Sequence, residues 1–404
     1  MDLRTGCPIW LLTGGRRALA TGPLAEDIRC RVAIVGGGVT GALLADRLTR
    51  DGVDTVLIDA RTFAAGSTVA STNILLREPD TSLAALAERL GTSSARRVYE
   101  LGSWAIDQID ELTGGLPDRC DYRRQKSLYL GSESSDVEEL DRDFELCERL
   151  AIPMERLERD DLARAGYSVN SPLALRSPIA ADVDGYRFTF ALIQRALAAG
   201  LRAYSKTQLA HVEHSTHDGL QLRTSRGCTI RADAVVFATG YEAHEQLDAR
   251  LGSLASTWAM ATRPVAAFEG WPGQGPIWES ARPYCYLRTT IDGRVIIGGL
   301  DEPGTESHQD VEKMRSKAMQ LANRFRTIFP AIPIEIETAW AGVFGSSVDG
   351  LPYIGRPDSR RPIYYALGYG GNGITFSVIA MALIAEELAG RRHEDAQLFR
   401  FDRG

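Results

Sequence analysis

Nowhere in the 404 residues is there an apolar run of the roughly 20 residues that a membrane helix requires. The apolar stretch from Ile9 to Leu12 is too short for a secretory leader. Pro8 precedes it, and Gly14, Gly15, Arg16 and Arg17 follow. Cysteine is sparse: Cys7, Cys30, Cys120, Cys147, Cys228 and Cys285 are scattered, with no C-x-x-C pair. Unpatterned thiols argue against a disulfide framework and fit a reducing, cytoplasmic setting. There is no excess of basic charge either. The formal net charge is -7, so no surface field draws the chain toward nucleic acid or anionic lipid. Neither H-E-x-x-H nor a Ser-His-Asp pattern stands out, which leaves hydrolytic chemistry without a foothold. What remains is a globular composition, 44% hydrophobic and 25% charged, long enough for two domains.

The strongest positive signal spans Arg31 to Gly52. Val32 to Val35 reads as a buried parallel strand that stops at Gly36, and a helical pattern (Ala42, Ala45, Leu48) opens just beyond. Between them Gly36, Gly38 and Gly41 form G-x-G-x-x-G. The first glycine permits a tight turn, the second lets a pyrophosphate approach the backbone, and the third lets helix and strand pack closely. The unpaired N–H groups of Val39, Thr40 and the helix start then face the phosphates. A second strand, Thr55 to Ile58, ends in Asp59, at 59 − 41 = 18 residues past Gly41. That is close to the spacing of about 20 expected for an acid that holds a ribose hydroxyl. Strand, glycine turn, helix, strand and acid together define a dinucleotide site. Its adenosine end takes in Ala60 and Arg61, and the unit alone does not choose between NAD and FAD.

Downstream, residues 65–76 are dense in small hydroxylated residues. Residues 82–112 and 136–164 read mainly helical, with a strand near Ser127 to Leu130. The helical stretch Phe188 to Ala199 leads into the alternating stretch Ala210 to Arg231, with a hairpin turn at Asp218-Gly219. Ala234 to Ala238 is a buried strand ending in Thr239-Gly240. Ala259 to Phe268 and Tyr284 to Gly299 read as extended, Val311 to Phe329 as a helix, and Ile374 to Leu388 as a buried helix.

Five segments make the chain similar to the D-amino-acid-oxidase family, which includes glycine and sarcosine oxidases. They are the glycine turn, GSTVAST, ADAVVFATG (Ala232 to Gly240), DGLPYIG (Asp349 to Gly355) and ALGYGGNGITFS (Ala366 to Ser377), and the similarity runs from about residue 30 to 390. The resemblance implies an α/β fold, a Rossmann-like FAD-binding domain with a parallel sheet. It is interleaved with an α+β substrate domain on an antiparallel sheet. The expected division gives residues 1–29 to an N-terminal extension packed on the body. Residues 30–81, 178–248 and 340–404 go to the FAD domain, and 82–177 and 249–339 to the substrate domain. FAD would be held without a covalent link. Expected to hold it, besides the residues above, are Gly66, Ser67, Thr68, Ser71, Thr72 and Asn73 of the small-residue loop. Val212, Ala238, Thr239, Gly240, Gly368, Gly370, Gly371, Asn372, Gly373 and Ile374 complete the set. The resemblance further implies oxidation of the C–N bond of a small amine or amino acid, with O₂ or another acceptor taking the electrons. A dehydrogenase serving a quinone or partner protein is the alternative, as is a flavin subunit of a larger assembly.

The substrate side is less definite. Several family members carry an arginine before the D-G-x-P segment that clamps a substrate carboxylate. Here the segment reads AGVFGSSVDGLP, with Phe344 and Gly345 in the neighbourhood and no arginine from Ala341 to Pro352. Period-two alternation puts Tyr284, Tyr286 and Arg288 on one face. A buried arginine there needs an anion. A substrate carboxylate and Glu279 are both candidates. Tyr284, Tyr286, Arg288 and Asn73 are the expected catalytic residues. His211, His214 and His217 are spaced like a metal cluster, but on a strand His214 faces away from the other two. They read as solvated surface next to the hairpin turn, and no metal is expected. Cys285 reads as a buried structural thiol.

Overall fold

Val32 and Ile34 turn to one side of their strand and Ala33 and Val35 to the other, and every one of these side chains is buried. A strand packed on both faces belongs in the middle of a parallel sheet. The computed structural model, which describes residues 3–15, 17, 19–215, 219–245 and 252–403, places it there. Ile28–Val35 lies between Thr55–Ile58 on one side and Thr229–Phe237 on the other, parallel to both. Arg202–Tyr204 extends the sheet beyond Thr55–Ile58, and Ile363–Leu367 extends it beyond Thr229–Phe237. One face is covered by the helices Val39–Arg50, Gly185–Ala198 and Gly373–Leu388, which pool their apolar residues into the largest core. The other face carries the hairpin of Leu209–Ser215 and Gly219–Thr224.

The second sheet is mostly antiparallel. Its order is Arg4–Gly6, Ile336–Ser347, Gly252–Thr262, Val295–Pro303, Cys285–Thr289, Ile277–Glu279, Arg123–Leu130, Leu173–Asp182 and Ile74–Leu76. The helix Val311–Ile328 seals one face of it. Leu321, Ala322 and Phe325 of the helix meet Cys285, Leu287 and Ile297 of the sheet. The opposite face looks toward the nucleotide sheet across a long cleft.

The chain passes repeatedly between the two sheets. Ile74–Leu76 and most of Ile336–Ser347 lie in pieces expected to belong to the nucleotide domain, yet both pair in the antiparallel sheet. The N-terminal segment is also structural rather than peripheral. Arg4–Gly6 adds an edge strand against Trp340–Gly342. Ile9 and Trp10 are buried in the main core. Among the described residues, no helix is long and apolar enough to cross a membrane.

Candidate active site

The cleft begins where the first crossover leaves the parallel sheet. Ile28–Val35 sends its chain one way, to Thr55–Ile58, while Thr229–Phe237 lies on the other side. Such a switch point is where open α/β sheets bind ligands, beyond the carboxyl ends of the strands. The glycines there leave no room for side chains. A Cβ on Gly36, where φ is +107°, would sit 2.4 Å from the Ala238 carbonyl oxygen, and one on Gly41 only 1.9 Å from that of Gly36. Gly38 caps the helix with no side-chain bond of its own. Instead Thr68, from the small-residue loop, accepts from the Val39 N–H at 3.0 Å.

Asp59 braces this turn. One carboxylate oxygen accepts from the Gly37 N–H and the other from the Arg61 N–H, each at 2.7 Å, and burial pushes its pKa up. Arg61 is engaged too: its guanidinium forks onto Glu242 with two bonds of 2.9 Å. The fork that a 2′-phosphate would need is therefore spent on a neighbour absent from the sequence expectations.

The loop from Gly66 to Thr72 forms the cleft's next wall. Indole N–H groups pin its backbone. Trp10 donates to the Ser71 carbonyl and Trp340 to that of Ala70, each at 2.7 Å. Opposite runs the turn Gly370-Gly371-Asn372-Gly373, which opens a helix with no side-chain cap. The Gly371 N–H donates to Asp80 at 2.6 Å. Asp80 keeps exposed surface along the cleft, yet the protein mass around it limits its hydration, and that raises its pKa.

A flat, phosphate-bearing cofactor suits this surface. It has two helix N-termini, neither capped by its own N-cap side chain, for negative charge and a glycine cradle that a Cβ would fill. It also has two buried hydroxyls with no partner, Ser67 Oγ and Thr239 Oγ1, both on the cleft wall. Orphaned buried hydroxyls carry a cost that a ligand removes.

Beyond the glycine turns the cleft widens into a chamber whose wall includes Tyr284, Tyr286, Trp278, Phe344, Thr257 and Asp301. The Tyr284 and Tyr286 rings are 5.8 Å apart. Burial pushes Asp301 up to about 6. An Asp that ionises less readily when folded binds more protons in the native state than in the unfolded one. Its contribution therefore favours folding at low pH and is lost as pH rises from about 4 through 6. Asp301→Asn, which keeps the shape without the charge, should raise the melting temperature at pH 8 and leave it unchanged near pH 4. The gain is bounded by about 3 kcal/mol, since a tenfold change in proton affinity is worth about 1.4 kcal/mol. Equal melting temperatures at pH 8 would mean that Asp301 is comfortably solvated.

Most of the expected cofactor residues line the cleft: Gly36, Gly38, Val39, Thr40, Asp59, Ala60, Arg61, Gly66, Ser67, Thr68, Ser71, Thr72, Ala238, Thr239, Gly240, Gly370, Gly371, Asn372, Gly373 and Ile374. Gly41 packs helix on strand behind it. Four positions require correction. Val212 pairs with Leu222 in the hairpin and packs below the sheet, while Thr207, Gln208 and Leu209 reach the cleft in its place. Gly368 lies beside Ser347 and Tyr353, off the cleft wall. Asn73 is buried with φ of +59°, and its side-chain amide fits the Ser71 hydroxyl, the Trp10 indole and the Gly185 N–H.

Arg288 is the fourth. It is only 1% exposed and does not line the chamber. Its guanidinium donates to the carbonyls of Thr72, Asn73, Val183 and Thr289 and to Asp182 at 3.1 Å. Neither anion proposed for it applies, because Glu279 pairs with Arg324. Alternation does set Tyr286 and Arg288 opposite the core-facing Cys285 and Leu287. But at about 3.3 Å per residue, Arg288 lies some 13 Å along the strand from Tyr284, beneath the loop rather than in the chamber. Asp80, Asp301, Thr257 and Trp278, which do shape the chamber, sit in segments with no motif to mark them. Cys285 is buried in the helix-packed core, with its thiol pushed up to about 12. His211 is exposed, while His217 and Asp218 lie outside the described residues.

A parallel sheet with a glycine turn at its switch point, facing an antiparallel sheet across a cleft, is the architecture of a flavoprotein oxidoreductase. Residues 31–387 match the DAO family model, FAD dependent oxidoreductase, and the chain belongs to that family. It is 24% identical over 392 residues to gamma-glutamylputrescine oxidoreductase of Escherichia coli (strain K12), covering 93% of this chain and 86% of that one. With glycine oxidase of Geobacillus kaustophilus (strain HTA426) it shares 26% over 371 residues, 89% and 92% of the two chains. The crystal structure of glycine oxidase from Geobacillus kaustophilus superposes with a TM-score of 0.77 at 24% identity, over 93% of this chain and 99% of that one. L-proline dehydrogenase from P. horikoshii superposes at 0.74 with 19% identity, over 93% and 97%. The protein is an FAD-dependent oxidoreductase.

Proposed function

We propose that the enzyme oxidises the C–N bond of a small amine or amino acid, with O₂ taking the electrons in turn. The observation that carries this reading is the continuity of the cleft. One groove runs from the glycine turn, past the Ser67–Thr72 wall, into the aromatic chamber of Tyr284 and Tyr286. Relatives named as glycine oxidases, matching along most of the chain, support the oxidase form.

FAD, when bound, supplies the hydride acceptor, and that is the hard chemistry. The chain's own residues bind and orient. Gly36, Gly38 and the N-terminus of Val39–Arg50 would hold the pyrophosphate, while Asp59 fixes the turn that presents those N–H groups. Ser67 and Thr239 would donate their free hydroxyls. The uncapped start of Gly373–Leu388 would place positive dipole beside the ring, where reduction leaves negative charge. At the substrate end Tyr284, Tyr286 and Phe344 exclude water, and Asp301 can accept an N–H of the amine. A neutral amine needs no further base to give up a hydride, which fits a chamber with no histidine among the described residues that line it.

Among the described residues that line the cleft, none is cysteine or histidine. Acid or heat should therefore release FAD into the supernatant of the yellow protein, and flavin retained on the precipitate would overturn the non-covalent reading. The function itself is tested by anaerobic mixing with a panel of amines, N-methylated and D-amino acids. At least one should bleach the flavin absorbance, and air should restore it with formation of hydrogen peroxide. A flavin that no amine or amino acid bleaches would sink the proposal. Recovery only with a quinone would replace O₂ as the acceptor.

A further inference from the structure

The chamber has a side room that the reaction described above does not use. Asp80 and Trp278 belong to both: one side of each faces the cleft, the other a smaller cavity of about 70 Å³. At about 10–15 Å³ for each water-sized group, that is room for an ammonium head and several methylenes. One wall is aromatic, with the Trp278 ring stacked on Tyr129 at 3.8 Å and 19°. The rest is mixed, with apolar and hydroxyl side chains among a group of acids. Glu78, Asp80, Glu139 and Asp143 line the room, against one guanidinium, Arg282.

The positive charges nearby offset only part of this. Arg77, behind the wall, takes one oxygen of Glu78 at 2.9 Å. Arg282 donates to the carbonyls of Ser280 and Ala281 and lies over the Tyr284 ring at 5.4 Å. Two cations against four carboxylates leave the room negative. Moreover Glu78 is 5% exposed, and its second oxygen is buried with no partner at all. A carboxylate oxygen kept dry and unpaired is costly. A donor that enters this room removes that cost once the Glu78 carboxylate turns toward it. Among the described residues no three His, Cys, Asp or Glu side chains converge as a metal would require. A stacked aromatic wall beside carboxylates suits an organic ammonium, which gains from both. A carboxylate tail would meet four carboxylates against one guanidinium.

We propose that the substrate is an elongated amine with a second cationic group. The reacting C–N bond sits in the Tyr284–Tyr286 chamber, and the distal ammonium passes between Asp80 and Trp278 to Glu78 and Asp143. This rests on the amine-oxidising reading above and narrows its substrate. It also accounts for the lack of an arginine beside Tyr286 and Phe344 among the described residues that line the chamber, because a substrate held by its far cation needs no carboxylate clamp.

The test uses the FAD-loaded enzyme and α,ω-diaminoalkanes of three to eight carbons. Each is compared with the alkylamine and the ω-amino acid of equal length. Dissociation constants come from the perturbed flavin spectrum on rapid anaerobic mixing, with thermal shift as an independent readout. At the best length the diamine should bind at least tenfold tighter than the monoamine, and the ω-amino acid more weakly than either. Asp80→Asn keeps the acceptor for the Gly371 N–H but removes the charge, and the diamine-to-monoamine ratio should fall toward one. A wild-type enzyme that binds monoamine and diamine alike, or that prefers the amino acid, overturns the inference even if Asp80→Asn fails to fold. Bleaching by glycine without any diamine preference would do so while leaving amine oxidation standing. Bleaching by no compound would fell both.

Discussion

Replacing Arg288 with methionine should destabilise the protein severely while leaving its discrimination between acidic and neutral substrates unchanged. The guanidinium is buried, and burial without water holds its pKa below the usual arginine range. It persists because five acceptors surround it: four backbone carbonyls and Asp182, itself fully buried. Two of those carbonyls, Thr72 and Asn73, end the loop that walls the cleft. Val183 lies just before the helix Gly185–Ala198, and the Trp10 ring lies 5.4 Å from the guanidinium. Arg288 thus ties the antiparallel sheet, the loop and the N-terminal segment to one point. Removing one member of a buried ion pair typically costs about 3–5 kcal/mol, because the other is left uncompensated. Here Arg123 still reaches Asp182 through two bonds, so the lower half of that range is expected from the pair, with the orphaned carbonyls adding to it. The melting temperature should drop by roughly 5–15 °C. Arg288→Lys keeps the charge with fewer donors and should recover part of the loss. A variant that melts within about 1 °C of the parent, with KM raised tenfold for acids alone, would restore the anchor role.

The fate of Arg288 shows where sequence reasoning reached and where it stopped. Local pattern read the nucleotide half well. The run Val32 to Val35, the three glycines and Asp59 each follow from sterics and hydrogen bonding within about 30 residues; Val35, Gly36, Gly38 and Asp59 line the cleft, and Gly41 packs behind it. The helices at 311–328 and 373–388 were equally legible, since periodicity or all-round apolarity depends on the element alone. Position along a strand is not encoded that way. Alternation gives a face, but whether a side chain on that face meets a cavity or a neighbouring loop depends on what the partner sheet places there. The same limit explains Val212, where a displacement of a few residues along the hairpin, from 212 to 207–209, moved the contact. It also explains Asp80, which meets Gly371 from 291 residues away, and Asp301, whose neighbours Thr257 and Tyr284 lie on other segments of the chain. The N-terminal strand Arg4–Gly6 was invisible for a related reason: three residues carry no periodicity, and only the free edge at Trp340–Gly342 makes them a strand.

The largest effect of all should come from a single methyl group at Gly41. A Cβ there would stand 1.9 Å from the Gly36 carbonyl oxygen, 3.1 Å from its carbon and 3.4 Å from Ile34 Cγ2. The first of these is backbone at the tight turn itself, so no flexible side chain can yield. Helix Val39–Arg50 must instead move away from its strand by roughly an ångström or more, against a core in which Leu43, Leu44 and Leu48 are already packed. Overpacking of this kind costs about 1–3 kcal/mol and occasionally more. The movement also withdraws the helix N-terminus from the phosphates. Losing two charge-assisted hydrogen bonds, at about 1.5–3 kcal/mol each, lowers FAD affinity by about a hundredfold or more. Gly41→Ala should therefore purify nearly colourless, and titration with FAD should give a correspondingly raised dissociation constant. Gly114→Ala is the matched control. It ends the helix Thr92–Gly114, where an added Cβ meets nothing within 4 Å. It should bind FAD as the parent does, with stability unchanged or raised by up to about 1 kcal/mol. A Gly41→Ala protein that keeps one tightly bound FAD per chain would show that the turn at Gly36 can relax. The pyrophosphate would then have to be held from Ser67, Thr68 and Thr239 instead.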